Sequence, residues 1–191
     1  MAGEKILKRL DLTEKIILAR LNRYRRLVEN GSQDEPEEHR IWMEEMIKTC
    51  APQGNGLDIC CGDFPIIEAE GVDSASDVLG LYWRVPGDEL TFCEPNTIDY
   101  ITTNYLESFP NTLKVLNEWH RVLKDGGFLF LVMQNAEMYR RDSMGPLTNK
   151  KKVHCFTAET IQFYLRRCGF KVVRLGIVGD VMRIVAKKGE V

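Results

Sequence analysis

A surplus of charge is the first thing this sequence lacks. Its 191 residues carry 26 Lys plus Arg against 28 Asp plus Glu, a formal net charge of -2. Nucleic-acid domains usually carry a basic excess that neutralises several phosphates, so nucleic acid is not an expected partner. Long apolar runs are missing as well. The longest uncharged stretch near the middle, Gly126 to Ala136, is too short to cross a bilayer, and the opening MAGEKILKRL has no signal-peptide apolar core. No membrane partner and a cytoplasmic location are expected.

The six cysteines, Cys50, Cys60, Cys61, Cys93, Cys155 and Cys168, include no C-x-x-C pair and no Cys/His group with ligand spacing, so no metal site is expected. With 44% hydrophobic residues the chain can build a core without disulfides, and the thiols read as free and mostly buried. A charged fraction of 28% is far from the signature of disorder. No internal repeat or low-complexity segment appears, and the length suits one domain with an appendage.

Within that frame the first 50 residues read as helical. Ile17, Leu18, Leu21, Tyr24 and Val28 share one face, and Asn30-Gly31 ends the pattern. A second helix follows, with Asp34 as N-cap, Pro36 in its first turn and Trp42, Met43, Met46 and Ile47 as its apolar face. Residues 4–29 hold eight basic and four acidic side chains, whereas residues 34–45 hold six acids and one Arg, so the two helices are complementary in charge. Residues 1–53 are therefore expected to form an N-terminal helical cap.

From Gly56 onward short apolar runs alternate with helical stretches, the pattern of a mostly parallel α/β sheet. Strands are expected at 56–60, 70–73, near 82–85, 98–103, 128–133, 171–178 and 182–186. A helix from Thr112 to Leu123 is stopped by Gly126-Gly127. A last helix is capped by Thr157, stapled by Phe156 against Ile161 and closed by Gly169; a turn at Gly179-Asp180 then makes the final two strands an antiparallel hairpin. The fold class is α/β, a Rossmann-like three-layer sandwich with N-terminal helices added.

The chemistry gathers at the ends of the early strands. Gly56-Leu57-Asp58-Ile59-Cys60-Cys61-Gly62-Asp63 is an apolar strand running into a tight turn, the place where open α/β sheets bind nucleotides. Small side chains there let backbone N–H groups approach a carboxylate or phosphate, and Asp58 is placed to meet a ligand amine. In Gly71-Val72-Asp73 an acid ends the next strand, where it either accepts both hydroxyls of a ribose or serves as a turn residue. G-x-G-x-x-G is absent, which disfavours a nicotinamide-dependent oxidoreductase.

The segment Ile98-Asp99-Tyr100-Ile101-Thr102-Thr103-Asn104-Tyr105-Leu106-Glu107, the helix ending Glu118-Trp119-His120-Arg121-Val122-Leu123-Lys124-Asp125-Gly126-Gly127 and the strand Phe128 to Val132 together resemble the second half of a class I S-adenosylmethionine-dependent methyltransferase. The run His154 to Phe170 resembles the same family's final helix and strand, and the likeness covers about residues 54–188. It is closest to small members whose first motif reads L-D-x-G-C-G-x-x-P and whose second reads G-V-D. Here Cys60 stands where that loop keeps glycine, and only nine residues separate Cys60 from Glu70, so the first crossover helix is expected to be cut to a turn or lost.

The resemblance implies S-adenosylmethionine as cofactor, bound by residues 54–191. Its methionine end would sit at Cys60, Cys61, Gly62 and Asp63, with its amino group near Asp58. Its ribose would meet Asp73 and its adenine the segment Gly87-Asp88-Glu89-Leu90, with Asp88 or Glu89 on the ring amine. Thr103 and Asn104 would border the methyl side. Because the cofactor edge is short, residues Leu12 to Cys50 are expected to flank or cover the cleft.

On the acceptor side the candidates are His154, which either contacts or deprotonates the acceptor or caps the last helix, and Glu107, either a helix-start acid or a substrate contact. His39 reads as a surface residue and His120 as a core one. Arg140-Arg141 with Lys150-Lys151-Lys152 would receive an acidic acceptor or remain a solvated charge run. The expected function is methyl transfer to a small-molecule or saccharide acceptor; the alternative is a non-catalytic S-adenosylmethionine-binding or interaction module.

Overall fold

The computed structural model describes residues 37–51, 54–62, 66, 69–74, 82–139 and 153–189. In chain order the elements are α1 (Glu37–Cys50), β1 (Gly56–Ile59), β2 (Ala69–Val72), β3 (Tyr82–Trp83), β4 (Ile98–Thr103), a 3-10 turn (Leu106–Ser108), α2 (Thr112–Val122) and β5 (Leu123–Gln134). There follow the short α3 (Ala136–Tyr139), α4 (Ala158–Arg167), β6 (Phe170–Val178) and β7 (Val181–Lys188). The basic helix expected before Asn30, and the expected caps Asp34 and Pro36, lie outside the described residues.

The strands form one sheet in the order β3-β2-β1-β4-β5-β7-β6. The first five run parallel, and β7 enters antiparallel between β5 and β6. All seven expected strands are present. The carboxyl ends of β1, β2 and β4 therefore share one edge, with Ile59 beside both Val72 and Thr103. The connection from β1 to β2 spans residues 60–68, and no described residue within it is helical.

Two cores sandwich the sheet. On one face α2 and α4 bury Leu116, Trp119, Ile161 and Leu165 against Ile59, Ile101, Leu129 and Ile184. On the other, α1 buries Trp42, Met43 and Ile47 against Tyr100, Phe130, Val132 and Val185. Burying each such side chain contributes roughly 1.5–3 kcal/mol, so α1 is held by the sheet more than by its own propensity. Gly56 is needed for close approach: a Cβ there would stand 2.0 Å from the Tyr100 ring of β4.

Local signals account for the helix ends. The Asn111 side chain accepts from the Lys114 amide at 3.0 Å to cap α2. Thr157 and Thr160 form a reciprocal capping box on α4, and Gly169 follows its end with φ +83°. One boundary differs from expectation. The α2 helix ends at Val122, and Leu123, with φ -66° and ψ 139°, both caps it and opens β5; the ladder then skips from Leu123 to Phe128, and Gly126, with φ +76°, lies in that irregular stretch. Leu123 pairs with Ile98, and the Lys188 ammonium at the end of β7 donates to the Leu123 carbonyl at 2.8 Å.

Candidate active site

The loop after β1 is built around two carboxylates. Asp58 is buried; its Oδ1 accepts from the Thr102 hydroxyl of β4 at 2.9 Å and its Oδ2 from the Ile66 amide at 2.9 Å. Thr102 was no candidate, yet it fixes Asp58; a hydroxyl on a wholly buried strand position was the readable signal. Asp73, at the end of β2, accepts the Gly62 amide on Oδ2 at 3.0 Å, and the Cys60 amide donates to the Val72 carbonyl at 2.7 Å. Cys60 has φ +59° and Gly62 φ +56°, and no atom of the described residues lies within 4 Å of where a Gly62 Cβ would point. The position at which related loops keep glycine thus has the left-handed backbone that favours glycine.

Three carboxylates face this loop. Burial, then Asp73, Asp58 and Asp88, push the Cys60 thiol up to about 12, and burial with Asp58 and Asp73 also raises Cys61. Both thiols are therefore protonated at neutral pH and poor nucleophiles. Asp63 lies outside the described residues.

Residues 88–93, which include the segment expected to meet the adenine, are clamped to α2. Lys114 donates to Asp88 and to Glu89, each at 2.8 Å, and these two bonds raise its pKa. The Leu90 amide donates to Glu118 at 2.8 Å, and Arg121 donates to the Leu90 carbonyl at 3.0 Å and the Cys93 carbonyl at 3.0 Å. The Leu90 side chain has no exposed surface and lies in the core, so the structure places it as an anchor rather than on the cleft. Lys114, Glu118 and Arg121 escaped the sequence reading, because only the fold brings residues 88–93 beside α2.

Beyond β4, Thr103 accepts the Tyr105 amide at 3.2 Å, and the buried Oδ1 of the half-buried Asn104 has no hydrogen-bond partner among the described residues. The fold brings Glu107 and His154 together across 47 positions of sequence. The Glu107 carbonyl accepts the Val153 amide at 2.9 Å and the His154 amide at 3.0 Å, while the Glu107 side chain is 3% exposed. His154 Nε2 lies 3.1 Å from the Pro110 carbonyl. A carbonyl only accepts, so Nε2 carries the hydrogen and a neutral ring keeps its Nδ1 lone pair. His120 packs edge-on against Phe170 at 5.3 Å and is half-buried, so it borders the core instead of lying within it. The loop carrying Arg140, Arg141 and Lys150 to Lys152 lies outside the described residues.

A cleft of about 330 Å³ opens at the opposite edge, between Cys50, Asp99, Lys124 and Phe128, but Lys124 and Asp99 already pair there at 2.8 Å. Among the described residues no cluster of His, Cys, Asp and Glu could hold a metal ion, and no helix is long and apolar enough to cross a membrane.

The turn at Cys60 to Gly62, with Asp73 on its amide, thus stands at the carboxyl end of β1, between the ends of β2 and β4. Residues 22–175 match the family described as the methyltransferase domain. The chain belongs to the class I S-adenosylmethionine-dependent methyltransferase family. Its cofactor is S-adenosylmethionine.

Solved structures share the methyltransferase fold. A Thermotoga maritima S-adenosylmethionine-dependent methyltransferase described as a possible histamine N-methyltransferase aligns over 91% of this chain and 98% of that one, with TM-score 0.62 and 18% identity. A Methanosarcina mazei S-adenosylmethionine-dependent methyltransferase aligns over 75% and 97%, with TM-score 0.58 and 19% identity. Among curated proteins, the demethylmenaquinone methyltransferase of Staphylococcus epidermidis is 31% identical over 118 residues, 49% of each chain. This methyltransferase chain spans about half the length of the curated relatives it matches.

Proposed function

We propose that the chain transfers a methyl group from S-adenosylmethionine to a small acceptor carrying a quinone-type ring. The observation that carries the cofactor half is the Cys60–Gly62 turn at the end of β1, held by Asp73 on the Gly62 amide and underpinned by the buried Asp58. The acceptor half is supported by the name shared by the relatives, demethylmenaquinone methyltransferase, which favours a quinone-type ring over a saccharide.

When bound, the cofactor supplies an electrophilic methyl on a sulfonium, so the protein's task is alignment and exclusion of water. In this reading the Cys60 to Asp63 loop receives the methionine end and Asp58 stiffens that loop from beneath. Asp73 takes the ribose hydroxyls, while Asp88 and Glu89, steadied by Lys114, face the adenine amine. Thr103 and Asn104 border the transferred group. His154 uses its Nδ1 lone pair to accept the acceptor's proton, with Glu107 fixing the backbone that carries it. Residues 54–191 form the cofactor domain and residues 1–53 its helical cap, whose described part, α1, is anchored on the sheet.

The test is calorimetric binding of S-adenosylmethionine, followed by S-adenosylhomocysteine release over a panel of hydroquinones, saccharides and carboxylic acids. Release with a hydroquinone alone supports the reading. Release with saccharides alone overturns the acceptor, and binding without release to any acceptor favours the non-catalytic module.

A further inference from the structure

The far edge of the sheet, away from the cofactor loop, carries features that the methyltransferase reading does not use. The outermost strand, β6, is nine residues long and pairs only with β7, so one row of its backbone N–H and C=O groups is unmatched among the described residues. Natural proteins guard such an edge by covering or shortening it, by a bulge or by charge, and β6 has the last two: a register shift between Val172 and Arg174, and the cations Lys171 and Arg174, which repel a like-charged strand. Around it stand four exposed cations, Arg166 and Arg167 in the last turn of α4 and Lys171 and Arg174 on β6; none has an ion pair among the described residues. Interleaved with them are large exposed apolar side chains: Phe163 at 58%, Val173 at 57%, Ile177 at 48% and Val178 at 54%. The nearest acids in sequence, Glu159 and Asp180, lie at the two ends of this surface, in the first turn of α4 and the hairpin turn.

We propose that the β6 edge is a docking site for an extended acidic segment of a partner protein, which adds to the sheet as an eighth strand. Three observations converge on that occupant. Unmatched main-chain groups call for another backbone. Cations without partners call for carboxylates, and the valines and isoleucine call for alternating aliphatic side chains. A second copy of this chain is disfavoured, because pairing β6 with itself would gather the cations of both copies at one seam. The edge is opposite the cofactor cleft in strand order, separated from β1 by β4, β5 and β7, so a partner could dock without entering the cleft.

The probe is a synthetic peptide of alternating Glu and Val, as long as β6, titrated into the full chain and followed by fluorescence anisotropy and amide hydrogen exchange. Its Lys–Val counterpart is the control. Binding of the acidic peptide that weakens with salt and protects alternate amides between Val172 and Val178 supports the proposal. Lys171→Glu with Arg174→Glu should weaken it about tenfold or more and leave S-adenosylmethionine affinity unchanged. Absence of binding overturns the proposal, as does binding that leaves β6 amide exchange unaltered. Tighter binding to phosphatidylglycerol vesicles or to duplex DNA than to the peptide also overturns it, since a basic patch alone would then suffice. Cofactor binding and methyl release are unaffected by any of these results, so the two readings fail independently.

Discussion

Asp73 Oδ2 accepts the amide of Gly62 at 3.0 Å, so the carboxylate that ends β2 also shapes the loop that ends β1. One side chain thereby sets the width of the gap between two strand ends. Replacing it should disturb both the loop and the ribose contact.

Asp73→Ala is expected to weaken S-adenosylmethionine binding about 10- to 100-fold, the range for losing hydrogen bonds to a charged acceptor. Calorimetry checks it. Unchanged affinity would remove Asp73 from the site.

Cys60 is the sharpest test of the loop's backbone. With φ +59°, Cys60→Gly should leave stability unchanged or raise it by up to about 1 kcal/mol, whereas Cys60→Val should cost about 1–3 kcal/mol because a branched Cβ fits that conformation poorly. Urea unfolding of both variants decides. Equal effects from glycine and valine would mean that the thiol's packing, and not the backbone, sets the cost.

Acid should loosen the clamp on residues 90–93. Hydrogen bonding from Arg121, ahead of the opposing burial, holds the Glu118 carboxyl below its ordinary value. A depressed folded pKa contributes stability that is present above the unfolded value of about 4.3 and disappears as the pH falls through the folded pKa. The stability difference between wild type and Glu118→Gln should therefore be largest near neutrality and shrink below about pH 4. Thermal melts at both pH values measure it; a constant difference would show that ionisation is irrelevant there.

The α1 anchor can be tested without touching the site. Ile47 is 2% exposed among Tyr100, Phe130 and Val185, so Ile47→Ala should cost about 2–5 kcal/mol. If chemical denaturation shows less than 1 kcal/mol, roughly the cost of a mild surface change, α1 is not held by that core.

Much of this was legible beforehand because local signals agreed with the global pattern. The Thr157 cap, the Phe156 staple and Gly169 bracket α4 within a few residues, and each apolar run from Gly56 onward became a strand. The start of β5 was hidden because Leu123-Lys124-Asp125-Gly126-Gly127 has the composition of a turn, while its strand geometry comes from Ile98 and Lys188, both distant in sequence. The apolar stripe of α1 was visible, but periodicity names a face and not the layer it meets. The site divided in the same way. Small residues and strand-end acids marked the loop, whereas Thr102 on Asp58, Lys114 on Asp88 and Glu118 on the Leu90 amide depend on contacts made only after folding.

The place of β7 between β5 and β6 has a consequence for how the chain is made. While the ribosome is still extending the polypeptide, β5 has nothing to pair with on its outer side until its neighbour, Val181–Lys188, emerges after two helices and β6. The buried lysine that closes the junction of α2 and β5 is the last residue of that same strand. The sheet therefore cannot be completed strand by strand in chain order, and the waiting edge of β5, rich in Phe, Leu and Val, is the surface a chaperone would most need to shield.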